Sequence, residues 1–79
     1  MISPEQCRAA RALLNWTQGD LAERVSISAV SIRAFEKGGD MRDANRKLIG
    51  LTFEQAGVVF IPENGGGAGV RLAQPKSAK

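Results

Sequence analysis

Thr17-Gln18-Gly19-Asp20-Leu21-Ala22-Glu23-Arg24-Val25-Ser26-Ile27-Ser28-Ala29-Val30-Ser31-Ile32-Arg33-Ala34-Phe35-Glu36 contains two helix starts in quick succession. Thr17 stands immediately before an apolar-periodic segment, with Asp20 three positions on, where the acid of a capping box sits. Leu21, Ala22 and Val25 then recur at helical spacing. Ser28 repeats the start signal after the short Ser26-Ile27 link, which leaves room only for a tight turn. In the second segment Ile32 and Phe35 share an inward face, while Ala29, Val30, Arg33 and Lys37 project from the other side. The spacing predicts one helix over about 17–25 and a second over about 28–36, ended by Gly38-Gly39.

On the amino-terminal side, Ser3-Pro4-Glu5-Gln6 has a cap, a proline suited to the first helical position and a reciprocal capping partner. That helix is expected to run to about Leu14 and to end at Asn15, a residue that tolerates the left-handed conformation. Trp16 and Leu21 have the spacing of a hydrophobic staple. On the carboxy-terminal side, Asp43 is the expected cap of a fourth helix closed by Gly57. Its apolar positions Leu48, Ile49, Leu51, Phe53 and Ala56 spread too widely for one stripe, as a helix serving both core and partner would. Val58-Val59-Phe60-Ile61, ended by Pro62, reads as a short strand. Glu63 to Gly67 supplies turn chemistry and Val70-Arg71-Leu72 a returning strand. A lone hairpin is marginal in water, so it is expected to pack on the fourth helix or pair with the same segment of a second subunit. The organisation is therefore a helical unit over 1–57, a β extension over 58–72 with Val58, Val59, Phe60 and Ile61 as candidate dimerisation residues, and a flexible tail over 73–79.

A chain of 79 residues holds one small core, and self-association helps such a chain. The formal charge of +3 owes two of its cations to Lys76 and Lys79, so distribution matters more than the total. Arg24, Arg33, Lys37, Arg42, Arg46 and Lys47 face only Glu36, Asp40 and Asp43 within their stretch, which predicts a modest positive face. With Cys7 the only cysteine and no histidine, an intrachain disulfide is excluded and no Cys/His cluster can hold a metal. Neither a basic-then-apolar leader nor an apolar run of spanning length is visible, so the expectation is a cytoplasmic protein without a membrane or cofactor.

From Arg11 to about Arg42 the chain resembles the lambda-repressor-like, or Xre-type, helix-turn-helix regulators of bacteria and phage. The residues that carry the resemblance are Thr17-Gln18, Leu21-Ala22, Val25, Ser28, Ile32, Phe35-Glu36 and Gly38. The resemblance implies a mainly α fold, a four-helix DNA-binding domain with a short carboxy-terminal strand or hairpin. It also implies that the helix over 28–36 lies in the major groove of double-stranded DNA and that a homodimer reads two half-sites of a palindromic operator. Carried over by position, Gln18 meets the DNA backbone, and Ser28, Ala29, Val30, Arg33 and Ala34 match or adjoin the base-facing positions. Their chemistry suits thymine methyl groups for Ala29 and Val30 and a guanine edge for Arg33. Lys37, Arg42 and Arg46 are expected at phosphates. Ser26 departs from the glycine common at the turn, so either the turn avoids positive φ or it is strained.

Other readings of the same residues are blander. The family pattern makes Arg11 and Glu36 a structural ion pair between the first and third helices rather than a reaction centre, and no nucleophile stands with them. Cys7 reads as a small buried hydrophobe. Gly65-Gly66-Gly67-Ala68-Gly69 lacks the Lys-Ser/Thr of a phosphate loop and reads as a turn. An enzyme is thus the weakest expectation and a transcriptional repressor the foremost. The rival is a protein-interaction module, an antitoxin or antiactivator that grips a toxin or an activator through the fourth helix and the strand.

Overall fold

Each of the first three helices begins at a side-chain cap, and these caps fix where the chain turns. In a computed structural model, which describes residues 1–74, the first helix is α1 (Pro4–Leu14). The Ser3 hydroxyl accepts from the Gln6 amide, and Gln6 Oε1 accepts from the Ser3 amide. Asn15 ends α1 in the left-handed conformation at φ 58. Thr17 and Asp20 form the same reciprocal box at the start of α2 (Gln18–Val25). Ser26 closes α2 at φ 56, which settles the turn question: a serine occupies the left-handed region that favours glycine. Ser28 accepts from the Ser31 amide to open α3 (Ala29–Glu36). Gly38 at φ 101 then carries the chain away, followed by Gly39, where an added Cβ would meet the Ala34 carbonyl oxygen at 2.8 Å.

The start of α4 (Asp43–Gln55) departs from expectation. Arg42 occupies the cap position, no side chain caps the helix, and Asp43 is already its first residue. There its carboxylate complements the positive helix end electrostatically. After Gly57 the chain forms β1 (Val58–Ile61) and β2 (Gly69–Leu72), antiparallel, with Val58 opposite Leu72 and Ile61 opposite Gly69.

The core lies where α1, α2, α3, α4 and β1 converge, and it consists of Ile2, Cys7, Ala10, Leu21, Val25, Ile32, Phe35, Ile49, Phe53 and Val58. Trp16 covers one side of it, stacking on Phe53 with ring centroids 5.6 Å apart, and the Arg24 guanidinium lies 4.1 Å from the Trp16 centroid. The hairpin joins this core directly: β1 packs on α4 and β2 on α1. Gln6 ties it down, because its Nε2 donates to the Gly69 carbonyl at 3.0 Å and to that of Ile61 at 3.4 Å. Two expectations change as a result. Val58, a candidate dimerisation residue, is only 2% exposed and belongs to the core, while Val59, Phe60 and Ile61 are half-buried. Ala73, expected to begin the flexible tail, still donates to the Gly57 carbonyl at 2.7 Å and so extends the ladder. The rest of that tail, from 75 to 79, lies outside the described residues.

Candidate nucleic-acid interface

The inner end of α3 is held by one carboxylate. Glu36 is 2% exposed and takes four donors: Arg11 Nε at 2.8 Å and Nη2 at 2.7 Å, Gln18 Nε2 at 3.0 Å and the Cys7 thiol at 3.1 Å. Arg11 also donates through Nη1 to the Trp16 carbonyl, and Arg8 donates to the backbone carbonyl of Glu36. Side chains from α1 and α2 therefore converge on the last residue of α3, and Arg11 also ties in the loop between them. Burial by itself would push the Glu36 carboxyl up, but the donors from Arg11, Gln18 and Cys7 outweigh it and hold Glu36 below the usual carboxylate range. The same bonds raise Arg11, whose strongest influence is its hydrogen bond to Glu36. Burial, reinforced by Glu36, pushes the Cys7 thiol well up, so it remains a protonated donor rather than a nucleophile.

With its inner face anchored by Ile32, Phe35 and Glu36, α3 has its outer face open. Val30 is 74% exposed, and Ser31, Arg33, Ala34 and Lys37 are exposed beside it. Arg11–Glu36 is the salt bridge among the described residues, so Arg33, Lys37 and Arg42 keep their charges unpaired there. Two capped helices joined by a short turn, the second anchored on one side and open on the other, form the unit that lays a helix in the major groove. A family model described as helix-turn-helix matches residues 8–52, more than half of the chain and all of this unit. The chain belongs to the helix-turn-helix family of lambda-repressor, or Xre, type. No curated protein matches it.

Members of this family are DNA-binding regulators, and α3 is the second helix of the helix-turn-helix unit. Val30, Arg33, Ala34, Lys37 and Arg42 are exposed as expected, while Gln18, Ser28, Ala29 and Arg46 differ from expectation. Gln18 does not point its amide freely outward, because the buried carboxylate of Glu36 draws Nε2 toward it. One amide hydrogen is spent on that carboxylate, which leaves the amide a second donor hydrogen. Ser28 is exposed but spends its hydroxyl on the cap and on Ser31 Oγ at 3.0 Å, and Ala29 is half-buried rather than projecting. Arg46 is turned to structural use: Nε and Nη2 donate to the Ile2 carbonyl at 3.2 and 2.6 Å, and its guanidinium lies 5.2 Å from the Phe35 centroid. Sequence reading assigned no role to Arg8 and saw Gln6 only as a cap partner. Arg8 shares the first helix with Arg11 three residues on, and that spacing on one helix face was the available signal.

No helix of the described residues is long and apolar enough to cross a membrane. Among the described residues no group of His, Cys, Asp and Glu is placed to hold a metal ion.

Proposed function

We propose that this helix-turn-helix protein is a sequence-specific transcriptional repressor that occupies a palindromic operator as a homodimer. The observation that supports the reading is the contrast across α3, where Ile32, Phe35 and Glu36 are buried while Val30, Arg33, Ala34 and Lys37 stand open. Val30 and Ala34 offer apolar surface to thymine methyl groups, and Arg33 offers two donors to the O6 and N7 edge of guanine. Lys37 and Arg42 contact phosphates, together with the second amide hydrogen of Gln18. Such a division puts sequence discrimination on few side chains and affinity on the flanking cations. In a dimer, the two reading helices address half-sites about one helical turn apart, ~34–36 Å.

Selection of bound fragments from a random duplex pool tests this reading. The expected product is an inverted repeat bound with an affinity that falls as salt rises. Recovery of no enriched sequence would overturn it.

A further inference from the structure

The face of α4 turned away from the core carries Lys47, Gly50, Leu51 and Glu54, one stripe by helical spacing. Leu51 is 56% exposed, and Lys47 and Glu54 are exposed beside it. Gly50 stands in the interior of a helix of 13 residues, where glycine weakens helix formation. A Cβ added there would meet nothing within 4 Å, so the fold of one chain gives no reason for the missing side chain. The stripe forms one wall of a mainly apolar groove of about 660 Å³, closed on its other sides by Met1, Phe60 and Pro62.

We propose that a second copy of this chain seats on that stripe, α4 against α4, antiparallel across a two-fold axis at Gly50–Leu51. Charge selects both the occupant and its direction. Lys47 and Glu54 lie two turns apart, about 10.5 Å along the helix, too far to pair with each other. An antiparallel crossing centred between them sets Lys47 of each copy against Glu54 of the other, whereas a parallel one opposes like charges. Gly50 lets the two backbones approach closely, and Leu51 of each copy enters the groove of the other. The surface is thus self-complementary, as an isologous contact requires. The inference rests on the homodimeric reading above and moves the interface from the strand Val58–Ile61 to α4.

Sedimentation velocity of the full chain without DNA, over a concentration series, tests it. The natural chain is expected to dimerise. Lys47→Glu and Glu54→Lys are each expected to raise the dimer dissociation constant by about tenfold or more, because each turns both opposite-charge contacts across the axis into like-charge ones. An equimolar mixture of the two variants is expected to recover dimer, since the heterodimer has opposite charges at both contacts. Circular dichroism of each variant verifies that these exposed substitutions leave the fold intact. A natural chain that stays monomeric, whose groove would then serve a different protein, overturns the proposal. So do single variants that dimerise normally, or a mixture that does not recover. DNA is absent from the assay, so these outcomes are independent of whether the fragment selection succeeds.

Discussion

Glu36→Gln preserves the shape of the side chain and removes its charge, which tests whether one buried carboxylate holds α3 in place. The substitution leaves the Arg11 guanidinium facing a neutral amide, and the new amide group turns a donor toward Arg11, Gln18 or Cys7, all of which are donors already. Breaking one partner of a buried pair costs ~3–5 kcal/mol. The Arg11 side chain keeps 18% of its exposure, so part of its charge stays hydrated and the lower end, about 3 kcal/mol, is expected. For a domain of this size each kcal/mol moves the midpoint by about 4–8 °C, so the expected fall in Tm is roughly 12–24 °C. Urea unfolding followed by Trp16 fluorescence and circular dichroism measures the loss. The pH dependence supplies an independent check. Glu36 titrates lower in the folded chain than in the unfolded one, where glutamate titrates near about 4.3. Its stabilisation is therefore complete above that pH and disappears as pH falls through the folded value. The gap between the natural chain and Glu36→Gln should close accordingly in acid. A loss below about 1 kcal/mol at neutral pH, the ordinary net value of one hydrogen bond, would refute the clamp. An effect that adds without coupling to that of Arg11→Met would refute it equally.

Three further outcomes follow from the same geometry. Arg33→Ala should relax preference at one base position by ~1–3 kcal/mol, whereas Lys37→Ala should weaken all sequences alike and lower the salt slope by about 1, both read by competition binding. Ser26→Gly should raise Tm, because relief of the left-handed serine, worth ~1–2 kcal/mol, outweighs the entropy that glycine adds to the unfolded chain, ~0.5–1 kcal/mol. Gln6→Ala should lower stability by about 1–3 kcal/mol and speed amide exchange in β1 and β2 ahead of the helices, since it frees the Gly69 and Ile61 carbonyls and one helix cap at once.

The helix boundaries were legible in the sequence because short-range chemistry sets them. Ser3, Thr17 and Ser28 cap by bonding amides three residues away, and Asn15 and Gly38 end helices through their own backbone preference. Arg42 at the start of α4 gave no comparable signal, and the neighbouring Asp43 attracted the cap assignment one residue late. What remained hidden is of longer range. Gln6 reaches 63 positions along the chain to Gly69, and Arg46 reaches back 44 to Ile2. No local pattern distinguishes an arginine that holds its own amino-terminal segment from one that waits for a phosphate. The burial of Val58 is of the same kind, because a β-branched run reads alike whether it faces the chain's own core or a second subunit. On α3 the opposite holds: helical period alone separated Ile32 and Phe35 from Val30 and Arg33, and the fold keeps that separation.

The most direct test of the proposed DNA-reading surface is an amide chemical-shift titration of the labelled protein with a duplex recovered from the random pool. The account predicts that the largest shifts fall on α3 and its flanks, at Val30, Arg33, Ala34 and Lys37, with smaller ones at Gln18 and Arg42. Shifts concentrated on the hairpin and the outer face of α4, with α3 unmoved, would contradict it.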